Sequence, residues 1–335
     1  VTSKEFAEII GVSQSTISRA LNNSSQISAE RREFIQKKAE EYGFVLNSQA
    51  RSLKTNRTGT VGILFPKHFI GMSSNLGLAH LYDLVQAELS KYDYDVMVVY
   101  DGEKQNGLST FERMIKIGKV DGFIIFRMES SKKDLELIKK YKVPCVYLLH
   151  AEKAGSYGSC LSDCEYSGYL IGKLFGKYKE YKSIYINVKT SAESKTRLAG
   201  FKRGLKERGV VMDKNAVWQS ELSVKSAYEC VINNQETVKS RKCAILAFND
   251  TVALGALNAC RDLGVKVPED VQISGVGGLP IIAEIAPDLT TVNVFHERIA
   301  SMGCEMLRSA IIHGAQEPIH TVIRPELILR GTTLR

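Results

Sequence analysis

No segment of this 335-residue chain is apolar for long enough to cross a bilayer. The longest uninterrupted apolar runs, such as 143–149, suit single buried strands and fall far short of the roughly 18–20 residues a membrane helix needs. No basic-then-apolar leader opens the chain, and with Val1 first an initiator Met is expected to have been trimmed. Low-complexity tracts are lacking as well. The seven cysteines (145, 160, 164, 230, 243, 260 and 304) are odd in number and scattered; only Cys160 and Cys164 lie close, and no His or second Cys pair follows at zinc spacing. Membrane and secreted classes are thereby excluded, and free thiols in a reducing cytoplasm are expected.

Enzyme signatures are missing too. The run GYLIGK, from Gly168 to Lys173, is one residue short of a phosphate loop and has no Ser or Thr after the lysine. His296-Glu297 lacks the second His of a zincin, no G-x-S-x-G occurs, and Gly275-Val276-Gly277-Gly278 does not open a helix at dinucleotide spacing. The expectation is a protein that is not an enzyme and needs no cofactor and no metal.

The charge that is present is unevenly spread. The chain carries a net +8. Residues 1–58 hold 9 Lys/Arg against 6 Asp/Glu, and the other 277 hold 36 against 31, so charge per residue is about three times higher in the first segment. A polyanion contact belongs there.

That segment reads as three short helices. Thr2 and Glu5 form a T-x-x-E capping box before Phe6, Ala7, Ile9 and Ile10, and Gly11 stops the helix. Ser13 caps a second helix, from Gln14 to about Leu21, with Ile17, Ala20 and Leu21 apolar. A turn at 22–25 leads to a third helix from the Ser28 cap through Phe34, Ile35, Ala39 and Tyr42 to Gly43. Helix, Gly turn, helix and supporting helix is the helix-turn-helix layout. The outer face of the second helix offers Gln14, Ser15, Ser18 and Arg19 to base edges, while Thr16 and the helix N-terminus suit phosphate oxygens. Any small three-helix unit also has a polar outer face, so periodicity alone leaves the two readings level.

The stretch 47–58, NSQARSLKTNRT, shifts the balance. It is polar and basic, with Ala50 and Leu53 as its only apolar side chains, and a helix of six or seven residues after an Asn47 cap is not stable alone in water. It reads as a linker that orders on a partner, with Leu53 either a minor-groove wedge or a side chain tucked onto a domain surface.

Phe6-Ala7, Gly11-Val12-Ser13, Thr16-Ile17-Ser18-Arg19-Ala20-Leu21-Asn22 and Ala50-Arg51-Ser52-Leu53 together resemble the DNA-binding head and hinge of the lactose repressor (LacI/GalR) family. Leu46 departs from the proline usual before the Asn. The resemblance implies Gln14, Ser15 and Arg19 as base readers and Leu53 as the wedge. Ser13, Thr16, Ser18, Asn22, Asn47, Ala50 and Lys54 complete the expected DNA-contacting set.

From Thr60 onward, strands are expected at 61–65, 95–100, 122–126, 143–149, 183–187, 244–248 and 272–276. Helices are expected at 78–91, 110–118, 132–140, 167–178, 197–208, 226–233, 251–263 and 297–313. That alternation means parallel sheets with crossover helices, and two such sheets fit the length, with a cleft at the strands' carboxyl ends. The fold class is therefore a small all-α helix-turn-helix head plus an α/β periplasmic-binding-protein-like core of two parallel-sheet subdomains, as the resemblance also implies over essentially the whole chain. The expected boundaries are 1–46 for the head, 47–58 for the hinge and 59–335 for the core. Within the core the N-subdomain takes about 59–160 and 291–320, and the C-subdomain about 161–290 and 321–335.

Cleft residues follow from the resemblance, motif by motif. Asn249, in AFNDTVALGAL, matches an Asn that faces ligand hydroxyls, and Arg197, in RLAGF, matches an Arg that clamps hydroxyls or a carboxylate. Asp163 matches the Asp-x-x-x-x-Gly stretch, with a loop-capping role equally open. Trp218 falls four residues before the usual stacking position, which Leu222 occupies, and is expected to pack. Two acidic positions are lost, one to the run containing Gly277 and one to Leu149-His150. Lys67 and Lys195 are either solvated charges or, with Arg197, a cradle for a sugar phosphate, similar to the trehalose-repressor branch of the family.

These residues lead to a cytoplasmic, nucleoid-associated homodimer. It is expected to bind a near-palindromic double-stranded DNA operator and to answer a sugar or sugar phosphate, as a repressor of a carbohydrate-utilisation operon; the alternative input is a protein partner or a non-sugar ligand. No membrane partner is expected.

Overall fold

The computed structural model describes residues 1–21, 24, 26–44, 57–65, 75–100, 106–126, 132–150, 157–189, 192–240, 242–314 and 317–335. Asn22, Asn47, Ala50, Leu53, Lys54 and Lys67 lie outside these residues, and so do the hinge from 47 to 56 and the entry at Leu46.

The head is built by its own local signals. Helix α1 (Ser3–Ile10) opens on a complete capping box, with the Thr2 N–H donating to Glu5 Oε2 at 2.7 Å and the Glu5 N–H to Thr2 Oγ1 at 3.3 Å. Gly11 ends it at φ +68°, where a side chain would be strained. Helix α2 (Gln14–Leu21) follows after one turn, and α3 (Ala29–Glu41) starts from the Ser28 cap. Phe6, Ile17, Ala20, Ile35, Ala39 and Phe44 close a core between them, with the Phe6 and Phe44 rings stacked at 4.3 Å. Three residues expected in helical periodicity, Ile9, Phe34 and Tyr42, are instead exposed, because the six-residue core is already closed by the positions beside them.

The chain enters the core through a fixed joint. Arg57 Nη2 donates to the carbonyls of Ile311 (3.0 Å) and Ile312 (3.3 Å), while the N–H groups of Thr58 and Gly59 and the Thr58 hydroxyl all donate to the Asp121 carboxylate.

Two parallel sheets follow. The first holds six strands in the order β11-β5-β4-β3-β1-β2, and the second four in the order β7-β6-β8-β9. The first contains β1 (Thr60–Leu64), β2 (Asp95–Val99), β3 (Gly122–Ile125), β4 (Cys145–Leu148), β5 (Gly158–Ser162) and β11 (His320–Ile323). Helices α4 (Leu76–Ser90), α5 (Thr110–Lys116), α6 (Lys132–Tyr141) and α13 (His296–His313) cover it. The second contains β6 (Lys182–Val188), β7 (Val217–Ser220), β8 (Cys243–Ala247) and β9 (Val271–Ser274). Its helices are α7 (Cys164–Phe175), α8 (Ala192–Lys206), α9 (Val224–Asn233), α10 (Gln235–Ser240), α11 (Asp250–Asp262) and α12 (Pro280–Ile285). An antiparallel ribbon of β10 (Thr291–Asn293) and β12 (Glu326–Ile328) joins the second sheet through bridges at Ser274 and Gly277. Both sheets are helix-covered on both faces, which is why their inner strands read as continuous apolar runs. In β3, Phe123 and Ile125 face the α5–α6 core while Ile124 faces the α4–α13 core.

The crossings between sheets fall slightly later than the sequence suggested. Strand β5 keeps to the first sheet through Ser162, β11 keeps to it through Ile323, and β10 is still bound to the second sheet at Asn293. The expected break at 160/161 falls inside β5, that at 320/321 inside β11 and that at 290/291 just before β10, and hydrogen bonding carries these strands two or three residues past the breaks. Strands β5, β7, β10, β11 and β12 and helices α10 and α12 were not expected; all are short, with little apolar periodicity.

Candidate functional site

Two surfaces carry the residues singled out above. On the head, Ser13 Oγ accepts the Thr16 N–H at 3.2 Å and lies 2.8 Å from both Ser15 Oγ and Thr16 Oγ1, so Ser13 is the cap of α2 and gathers two hydroxyls around it. With Ile17 and Ala20 fully buried beneath, Gln14, Ser15 and Arg19 stand exposed on the outer face, and Thr16 and Ser18 are half-exposed. A Gln, a Ser and an Arg along one exposed helix face can donate to and accept from base edges, and the capped N-terminus favours phosphate.

The second surface lies where β4, β6 and β8 end. Its frame is the pair α7 and α8, packed so closely that a Cβ at Gly200 would fall on the Glu165 carbonyl and one at Gly168 on the Arg197 carbonyl. The glycines of the GYLIGK run are thus explained as helix-packing residues. Asp163 caps α7, its Oδ1 accepting the Tyr166 N–H at 2.8 Å while its own N–H donates to Ile323 across the crossing. The start of α8 is pinned by Ser194, whose hydroxyl donates to Asn187 Oδ1 at 2.6 Å and receives the Val188 N–H at 3.3 Å.

Arg197 sits at the centre. It is only 6% exposed, donates through Nη1 to the Phe248 carbonyl, and lies 4.7 Å from the Phe248 ring centroid. Burial works against its charge, but Cys164, Tyr185, Glu193 and Asp250 around it outweigh burial and hold the guanidinium above its ordinary range. Glu193, one turn earlier on α8, places Oε2 3.9 Å from Arg197 Nη2 and Oε1 3.4 Å from His150 Nδ1. His150 follows β4 of the first sheet, so Glu193 joins the two subdomains. Leu149 turns the chain there with φ +72°, an uncommon conformation for a branched side chain. Burial pushes the His150 imidazole below its ordinary range, against the pull of Glu193.

Asn249 caps α11, its Oδ1 accepting the Val252 N–H at 3.0 Å, and is half-exposed. Asp250 beside it is buried and accepts from the N–H groups of Gly278 (2.7 Å) and Leu279 (3.1 Å) and from the Thr291 hydroxyl. Burial raises its carboxyl above the usual range against those hydrogen bonds.

Several expectations are corrected. Lys195 is exposed and, two residues from Arg197, points about 200° round the helix from it. The two cannot share a cradle, and Lys67, the third member, lies outside the described residues. Gly277 is buried, its N–H donating to Val292 and its carbonyl accepting from Val294, so it holds the β10 ribbon and presents nothing to a ligand. Leu222 packs half-buried on the core of the second sheet, and Trp218 is buried in that core, in the packing role expected of it. The sequence reading missed Glu193 and Phe248; the four-residue spacing from Glu193 to Arg197 on a helix was the available signal.

Residues 2–47 match the family of bacterial regulatory proteins of the lacI type, and residues 181–333 match the periplasmic binding protein-like domain. The HTH-type transcriptional repressor PurR of Vibrio atlanticus (strain LGP32) is 25% identical over 335 residues, covering 99% of this chain and 98% of that one. PurR of Mannheimia succiniciproducens is 24% identical, covering 98% and 97%. Among solved structures, the lac repressor dimer bound to operator and the anti-inducer ONPF superposes with a TM-score of 0.79 at 20% identity, covering 100% of this chain and 99% of that one. The transcriptional regulator CelR in complex with cellobiose gives 0.70 at 22%, covering 99% of both chains. Residues 2–47 are thus a head of the lacI type and residues 181–333 a periplasmic-binding-protein-like domain, and the whole chain shares the fold of the lac repressor.

Proposed function

We propose that this protein is a homodimeric transcriptional repressor of a carbohydrate-utilisation operon, working in the cytoplasm on the nucleoid, whose operator affinity is set by a sugar or sugar phosphate in the inter-subdomain cleft. The observation that carries the reading is the exposed row of Gln14, Ser15 and Arg19 on α2, backed by a closed head core and joined to a core with a charged cleft. Each head places α2 in one major-groove half-site, and paired hinge segments insert Leu53 at the centre of a near-palindrome. Asn47, Ala50 and Lys54 of the hinge and Asn22 after α2 complete the DNA contacts. The described dimer of lac repressor on operator and the cellobiose complex of CelR support this assignment by likeness.

In the cleft, Arg197 and the free amide end of Asn249 meet ligand hydroxyls, with His150 across from them and Asp163 positioning α7. Ligand binding shifts the subdomains, and the Arg57–Thr58 joint passes that shift to the hinge. The coupling expected for such a device is about 1–3 kcal/mol.

Selection of random duplex DNA by the full chain tests the reading. It should enrich a near-palindrome, and Arg19→Ala should weaken the selected site by about 1–3 kcal/mol while leaving non-specific DNA nearly unaffected. Equal losses on both DNAs would remove Arg19 as a base reader, and failure to enrich any sequence would sink the reading.

A further inference from the structure

The sequence suggested a cleft stripped of acid. The folded chain returns a carboxylate to it from an element where none was sought: Glu193, in the first turn of α8, between the Arg197 guanidinium on its own helix and the His150 imidazole of the other subdomain. We propose that Glu193 is a charge gate in the cleft, which admits an uncharged polyhydroxy compound and turns away its phosphorylated form. The inference rests on the reading of this cleft as the effector site.

A ligand in the cleft would meet Arg197 and Glu193 together. Arg197 is buried, and its Nε–H finds no acceptor, although Nη1 is spent on the Phe248 carbonyl and Nη2 faces Glu193. A buried donor without a partner is costly, so the site is incomplete until something supplies an oxygen. Glu193, with its side chain 26% exposed, offers the opposite need, lone pairs still open to a donor. A hydroxyl answers both, because it accepts from Nε–H and donates to a carboxylate. The phosphomonoester dianion of a phosphorylated sugar, with no proton to donate, answers only the first, and any phosphate sets its charge against Glu193 at close range.

The remaining charges do not reverse this balance. Lys195 is exposed on another side of α8, and Asp250, three residues beyond the Ala247 end of β8, is enclosed by the turn it holds. His150 is disfavoured in its charged form by burial, so near neutral pH it adds no second cation. The hydrogen bond from Cys164 Sγ to the Glu193 carbonyl, at 3.4 Å, fixes the backbone that carries its carboxylate.

Inorganic phosphate is the probe, because it reads the gate without knowledge of the sugar. Binding is followed by calorimetry and thermal shift on the full chain, with chloride at matched ionic strength as the control. Wild type should show no saturable phosphate binding. Glu193→Gln should bind phosphate at least about tenfold more tightly, and Glu193→Ala should agree, with the gain lost when Arg197→Gln is added. The proposal is overturned by saturable, Arg197-dependent binding in wild type, by no gain in either single variant, or by a gain that survives Arg197→Gln. A panel of neutral sugars that leaves wild type unshifted, with the phosphate gain intact, would overturn the sugar reading of the cleft and not the gate.

Discussion

Asp250 shows how the neighbour of a candidate ligand contact acts as a structural post. Paired with Asn249 in the motif AFND, it is buried and holds the turn Gly277-Gly278-Leu279 by two N–H bonds, with the Thr291 hydroxyl as a third donor. Gly275 and Gly277 lack side chains where the carboxylate sits, since a Cβ at Gly277 would come within 3.0 Å of Asp250 Oδ2. Asp250→Ala strips three donors of their acceptor and should lower unfolding free energy by about 3 kcal/mol, read from the midpoint of urea denaturation. A loss under about 1 kcal/mol would mean that water or another group replaces the carboxylate. Arg197 and Lys195 make the complementary point. They stand two apart in sequence, both basic, and helical geometry sends them to different places.

At the scale of elements, the pair α7 and α8 decides whether there is a cleft floor. Gly168, Gly172, Gly200 and Gly204 let the two backbones touch, and α8 then delivers both Glu193 and Arg197 to the ends of β4 and β8. Gly200→Ala puts a methyl onto the Glu165 carbonyl, so the helices must separate. The expected cost is about 1–3 kcal/mol or more of stability, with loss of any ligand-induced thermal shift while the head still binds DNA. A variant as stable as wild type would show that the close approach is dispensable. Helices were legible because their signals are local: the Thr2–Glu5 box, the Gly11 stop and the Ser13 cap act within one turn. Strands β5, β7, β10, β11 and β12 were not, because each is a short segment whose pairing comes from a neighbour distant in sequence. His320 through Ile323 form a strand only because Ser159 through Ser162 lie beside them.

The whole molecule is tied together at its crossings and at the hinge joint. Helix α13 begins where the chain re-enters the first subdomain, at Phe295 with φ +58°, and the Arg57 guanidinium bonds to carbonyls of its last turn. Such a rod links the cleft side of the core to the segment leading to the DNA-binding head. His296, at its start, is buried with its ring 5.6 Å from His80, and burial, aided by His80, pushes its imidazole down to about 4. An unfolded chain takes that proton near 6.5, so between pH 6.5 and about 4 the unfolded state binds more protons and stability falls as pH falls. The full effect is about 3 kcal/mol. His296→Gln should flatten the fall in melting temperature across that window; an unchanged slope would assign the acid sensitivity to other groups.

The sequence by itself determined the head, its capped helices, its exposed polar face and the alternation of strand and helix in the core, because those features rest on short-range spacing and local hydrogen bonds. It also carried the kinship, since residues such as Val12-Ser13 and Ser18-Arg19 are contiguous. Which basic groups share a cleft, where the chain crosses between sheets, and that Glu193 reaches both Arg197 and His150 were decided only by the tertiary structure. Those facts depend on where α8 begins and on the approach of segments more than forty residues apart; the spacing of Glu193 and Arg197 is local, but their meeting with His150 is not.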